Sequence, residues 1–336
     1  MGSDLYGQCV PCPEPEQGHH RSDPARGHRR LGGASAVIAD PVVKRDDGES
    51  PAVARRRLRL ALRRLRESLG LTQADVSGHL RWSLSKVNRM ETGEVTISAG
   101  DLEAILAFFG ISDGKKAAQL AQHCRLARRR GWWDRSEIRP HLTPALTNLL
   151  QFESDAAHIM AFGPSILPGI IQTHAMAAVI LADYADVLTE EQRAARFTLR
   201  MRLREQAIGR ESGTTCTVVL DESVVLREFG GLRLLASQLE DMLEAVDDQR
   251  LDVRILPFTA PTLFGLENPF MLVELDDGDT VLYREGITDE FFDDGAMVDR
   301  YRRIFERQLE GALSPAASVR LVKARLAAIE SALDRL

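Results

Sequence analysis

Residues 72–93, TQADVSGHLRWSLSKVNRMETG, decide how the first half of this chain is read. Thr72 is an N-cap residue, and Gln73 and Asp75 follow in the first turn of a short helix whose Val76 and Leu80 share one face at i, i+4. Ser83 repeats the cap. It opens a second short helix in which Val87 and Met90 form an inward stripe, stopped by Gly93. The opposite face of that second helix carries Leu84, Ser85, Lys86, Asn88 and Arg89. A solvated helix presents a similar face. The whole unit of cap, turn, cap, narrow apolar seam and basic outer face instead predicts a helix pair whose second member lies in a DNA groove.

Widening the window strengthens this. LRRLRESLGLTQADVSGHL, then WSLSKVNRMETG, then ISAGDLEAILAFFGI run from about Arg56 to Phe109. Over this span the sequence resembles the Xre family, the lambda and Cro repressor-like helix-turn-helix proteins. The resemblance implies that Gln73 bonds a phosphate, that Leu84, Ser85, Asn88 and Arg89 face base edges, and that Lys86 meets the DNA backbone. Ser83, at the head of that helix, belongs to the same DNA-facing set. It also implies a buried ion pair between Arg66 and Glu91, tying the first helix to the end of the recognition helix. The chain departs from the family at Arg81, where glycine is frequent in the turn. A side chain with positive φ costs about 1 kcal/mol, so either the turn is remodelled or Arg81 reaches a phosphate.

The chain has 336 residues, enough for about two domains with tails. Its net charge of −6 is unevenly placed: −2 over residues 1–54, +9 over 55–130 and −13 over 131–336. A basic stretch is commonly a solvated helix face. Here the excess coincides with the helix pair, where it would supply non-specific affinity for phosphates by counterion release. No apolar run approaches the roughly 20 residues of a membrane span. The first residues lack a basic-then-apolar export pattern, so the expected place is the cytoplasm, on the nucleoid. Cysteines at 9, 12, 124 and 216 make no disulfide framework.

Residues 1–50 show no apolar period and read as a disordered extension. Cys9, Cys12, His19 and His20 are metal-ligand types there, but their spacing fits no standard zinc framework. Residues 54–112 read as an all-α helix-turn-helix domain. Residues 113–140 read as a connecting helix with a junction at Trp132-Trp133, more readily a pin between domains than a stacking platform. Residues 141–336 read as an α+β regulatory and dimerisation domain with a small, mostly antiparallel sheet. Helical patterns cover about 143–161, 172–184, 189–209, 231–248, 296–312 and 315 to the end; strands are expected at 214–220, 252–258, 270–275 and 280–285.

RRRGWWD (128–134), ILPGIIQT (166–173), the helix bearing Arg200, Arg204 and Gln206, DVRILPF (252–258) and NPFMLVEL (268–275) carry a second resemblance. It is to the C-terminal domain of unknown function that follows an Xre module in actinobacterial, antitoxin-like regulators. Asn268 stands where glycine is more usual. This resemblance implies a transcription regulator, often encoded beside a small partner, with no established catalysis.

The chain contains no G-x-S-x-G, phosphate loop, G-x-G-x-x-G or H-E-x-x-H. Asp221-Glu222 lies at a strand end, where such a pair more often caps a helix than transfers protons. Residues 167–173 form either a pocket wall or a rigid turn. Cys124 and Cys216 read as core residues. The sequence therefore predicts no enzyme, no cofactor and no metal. It predicts a sequence-specific DNA-binding transcription regulator, a homodimer on a pseudopalindromic operator, whose acidic domain senses a small-molecule effector or partner. The alternative is an antitoxin-like module that captures a small protein and autoregulates its own operon.

Overall fold

Ser50, Thr72, Ser83 and Ser98 each stand one residue before a helix. Each accepts a hydrogen bond from the amide three residues on, at 3.3, 3.2, 3.1 and 3.0 Å. These caps satisfy N–H groups that a helix start leaves without partners, and they set four helix starts: α1 (Pro51–Ser68), α2 (Gln73–Leu80), α3 (Leu84–Thr92) and α4 (Ala99–Phe108). Helix α5 (Gly114–Leu126) follows. The structure is a computed structural model that describes residues 50–111, 114–129, 139–261, 265–286 and 289–335. The tail with Cys9, Cys12, His19 and His20, and the Trp132-Trp133 junction, lie outside the described residues.

One core joins these five helices. Leu58, Leu62 and Leu65 of α1 meet Val76, Val87, Met90, Ile105 and Phe109, and Leu120 and Cys124 of α5 enter the same cluster. Helix α5 is therefore part of this core as well as the path onward. Helix α1 also belongs to a second core. Its first turn puts Ala52 and Val53 among the buried side chains of the C-terminal region, and Ser50 is tied there through its amide to Asp155 Oδ2 (2.7 Å) and its hydroxyl to the Gln151 carbonyl (3.0 Å).

The C-terminal region is built on six strands: β1 (Ala156–Gly163), β2 (Thr215–Asp221), β3 (Asp252–Leu256), β4 (Phe270–Leu275), β5 (Thr280–Arg284) and β6 (Glu290–Phe292). They lie in the order β3-β2-β1-β4-β5-β6. The sheet is mixed, which corrects the expectation of a mostly antiparallel one. β1–β2 and β2–β3 are parallel, whereas β1–β4, β4–β5 and β5–β6 are antiparallel. The parallel pairs follow from helical crossovers, since a parallel neighbour requires a long return. β1 returns to β2 through α7 (His174–Asp183) and α8 (Glu190–Ile208); β2 returns to β3 through α9 (Glu222–Leu226) and α10 (Leu232–Asp247).

A second correction concerns β1 itself. The helix expected over 143–161 is α6 (Pro144–Glu153) only, and the chain then turns into the strand. Five of the strand's last residues are buried in succession, so no in–out alternation marks it. Side chains still alternate between faces. Ile159 and Ala161 enter the core shared with α1, while Met160 and Phe162 face a separate cluster with Val298, Ile304 and Phe305 of α11 (Ala296–Gly311). The last helix, α12 (Pro315–Leu333), packs on α10 and β3.

Candidate nucleic-acid interface

The α2–α3 pair is held at its corner by a capping box at Thr72, a serine cap at Ser83 and one strained residue. Thr72 donates its amide and hydroxyl to Asp75 Oδ2, both at 2.7 Å, and these donors hold the Asp75 carboxyl below the usual carboxylate range. Arg81 ends α2 in the left-handed region at φ +53°, so the turn keeps the glycine-type backbone although the residue is not glycine. Ser83 then caps α3.

Within α3, Val87 and Met90 are buried, while Leu84, Ser85, Asn88 and Arg89 are exposed together on the other side. Leu84 is 53% exposed at the first position of the helix. Arg81 and Ser83 are exposed beside it. The structure therefore brings six of the eight expected DNA-facing residues onto one accessible surface.

Gln73 and Lys86 are drawn inward. Gln73 Nε2 donates to Glu91 Oε2 at 2.8 Å, and its carbonyl oxygen accepts from Asn88 Nδ2 at 3.5 Å. Glu91 also takes Arg66 at two points, Nε at 2.6 Å and Nη2 at 3.0 Å, and Arg66 Nη1 donates to the Leu71 carbonyl at 2.7 Å. The Glu91 hydrogen bond and charge raise the Arg66 pKa above its already high ordinary value, despite opposing desolvation. One chain of polar contacts thus runs from α1 through the end of α3 to the start of α2.

Lys86 Nζ lies 2.6 Å from Asp101 Oδ1 and 3.8 Å from the centre of the Trp82 ring. Burial works against the Asp101 charge, but Lys86 and donors on Ser98 outweigh it and hold the pKa low. The sequence reading missed Asp101 and Trp82 as partners of Lys86. The signal was faint: an aromatic between two caps and an acid three residues after the Ser98 cap, itself a common helix-start pattern.

The basic charge of this region is partly spent inside the protein. Arg57 pairs with Asp277 (Nη2–Oδ2 2.7 Å), Arg56 with Asp279 and the Asp293 carbonyl, Arg59 with Asp293 and Asp294, and Arg63 with Asp294 at 3.8 Å. These arginines face the acidic β4–β5 turn and the segment before α11. They are docking charges, whereas Arg81 and Arg89 remain on the exposed side.

The other residues singled out in the sequence make the following contacts. Asp221 caps α9, with Oδ1 accepting from the Ser223 amide at 2.9 Å, and Glu222 Oε2 accepts from the Phe258 amide at 2.9 Å. Residues 169–171 form a 3-10 turn braced by Gln172 Nε2 to the Leu167 carbonyl (2.7 Å) and by Gln238, which bonds Ile171 and Thr173. Cys124 and Cys216 are buried and unpaired, and burial pushes both thiols up. Among the described residues no group of His, Cys, Asp and Glu is arranged to hold a metal, and no helix is long and apolar enough to cross a membrane.

Two family models match the chain. A helix-turn-helix domain matches residues 57–120, and a domain of unknown function, DUF5753, matches residues 146–324. Comparison with curated proteins and with solved structures found no match.

Proposed function

Because the chain belongs to the DUF5753 family and joins that domain to a helix-turn-helix, we propose that it is a sequence-specific transcription regulator of the Xre kind. A helix-turn-helix supports DNA binding; operator, dimer and effector are our reading. The observation that carries it is the exposed face of α3, where Leu84, Ser85, Asn88 and Arg89 stand opposite the buried Val87 and Met90. Arginine reads guanine and asparagine reads adenine by paired hydrogen bonds in the major groove, each worth about 1–3 kcal/mol of discrimination. Leu84 offers an apolar contact to a thymine methyl. A single recognition helix makes too small a contact for operator affinity, so we assign a two-fold dimer on a pseudopalindrome. The C-terminal domain receives the signal, the protein acts in the cytoplasm on the nucleoid, and it performs no catalysis.

The test is selection of bound DNA from a random pool by the full chain, repeated with Asn88→Ala and Arg89→Ala. Each variant should lose preference at its own base positions within an inverted repeat. An unchanged preference in both would overturn the assignment.

The antitoxin-like alternative, capture of a small basic protein, is favoured by the −13 charge of residues 131–336. That argument weakens because Asp277, Asp279, Asp293 and Asp294 already hold arginines of α1.

A further inference from the structure

Arg59 is bonded on two sides. Its Nη1 donates to the backbone carbonyl of Glu91, in the last turn of α3, at 3.0 Å. The same guanidinium donates from Nη1 to Asp294 Oδ2 at 3.4 Å and stands in an ion pair with Asp293 (Nη2–Oδ2 2.5 Å) that lacks hydrogen-bond alignment, immediately before α11. The side chain is only 3% exposed. Gly93, which ends α3 at φ +83°, leaves room for it: a Cβ there would stand 3.2 Å from Arg59 Cδ and Nε.

The last carbonyls of a helix lack partners and carry negative partial charge. A cation drawn against them is stabilising, and here the cation is fixed from behind by two carboxylates of the C-terminal region. Arg56 and Arg57 pair with the same acidic surface, at Asp279 and Asp277. Arg59 adds to such docking a bond to the backbone of the recognition helix, whose Glu91 side chain is held by Arg66. A planar fork of five donors can span a carbonyl and two carboxylates at once, whereas a lysine ammonium is a single point.

We propose that Arg59 is a positioning residue that couples the Asp293–Asp294 segment to the C-terminal turn of α3. A change in the charge or placement of those two carboxylates is thereby felt at the recognition helix, through one side chain and without rearrangement of either core. The effect on DNA rests on the function proposed above; the coupling does not.

The experiment uses the full chain in four forms: wild type, Arg59→Lys, the double variant Asp293→Asn/Asp294→Asn, and Arg57→Gln. The last breaks the Arg57–Asp277 ion pair of the same interface. Two quantities are read: hydrogen exchange at the amides of residues 90–95, and affinity for DNA selected by the wild type. Arg59→Lys and the double variant should each speed exchange and weaken operator binding by about tenfold or more, the loss of one charge-assisted hydrogen bond. Arg57→Gln should do neither. Unchanged exchange in Arg59→Lys and in the double variant, or an equal effect of Arg57→Gln, overturns the coupling. A wild type without sequence preference would sink the DNA reading, while the exchange result would still decide the coupling.

Discussion

Arg66 and Glu91, twenty-five positions apart, meet in a two-point ion pair with Nε–Oε1 at 2.6 Å and Nη2–Oε2 at 3.0 Å. Their side chains are 11% and 13% exposed, so water screens the pair little. Glu91 further holds Gln73, and Gln73 reaches Asn88 on the outer face of α3. The pair therefore supports the fold and also the orientation of a base-reading candidate. Removing Glu91 leaves the Arg66 guanidinium with the Leu71 carbonyl and a 3.4 Å contact to Glu67. Glu91→Ala should cost about 2–4 kcal/mol, a little under the range for a fully sealed pair. Denaturant unfolding of the full chain checks this, and a change near zero would show that the pair carries no weight.

Lys86 offers a test of opposite sign. Its ammonium is shared between Asp101 and the Trp82 ring, close to the face proposed for DNA. Asp101→Asn removes one negative charge from that face and frees Lys86. Affinity for all DNA sequences should rise, and the slope of log affinity against log salt should steepen by about one contact's worth. Titrations at several salt concentrations check it. An unchanged slope would mean that Lys86 stays clear of phosphate.

Arg81 holds φ +53°, a region that costs an L-residue about 1 kcal/mol or more. Arg81→Gly should relieve this, raising stability by up to about 1 kcal/mol less the freedom that glycine adds to the unfolded chain. If Arg81 also meets a phosphate, the same variant binds DNA more weakly while melting at a higher temperature. Lower stability would show that its side chain makes contacts worth more than the strain.

The helix pair was legible because its signals are local. Thr72, Ser83 and Ser98 each act within three residues, and Val87 and Met90 mark one face over a single turn. Four strands of the C-terminal region were legible from β-branched runs between turns. β1 was not, because a central strand buried on both faces loses its alternation and continues the apolar period of α6. The arginines of α1 were misleading for another reason. Arg56 and Arg59 meet Asp279 and Asp293 more than two hundred residues away, and nothing local separates a docking arginine from a phosphate-binding one. The first turn of α1 likewise gave no sign that Ala52 and Val53 would enter a different core from Leu58 and Leu62.

Glu153, the last residue of α6, is 1% exposed, and neither carboxyl oxygen has a hydrogen-bond partner. Burial raises its pKa well above the ordinary carboxylate range, and the negative end of the α6 dipole works in the same direction. Unfolded, the group ionises near about 4.3; folded, it keeps its proton to higher pH. Between those two values the folded chain binds more protons, so stability is fully present below the unfolded pKa and falls as pH rises through the window. The slope approaches about 1.4 kcal/mol per pH unit. Carboxyls held low, such as Asp101 and Asp277, act in the opposite sense but cancel in a comparison of variants. Glu153→Gln stays neutral throughout, so its advantage over wild type should be near zero below the unfolded pKa and grow as pH rises above it. Melting curves of both proteins on either side of that pKa measure the difference. A difference that stays constant with pH would show that Glu153 ionises in the folded chain as readily as in the unfolded one.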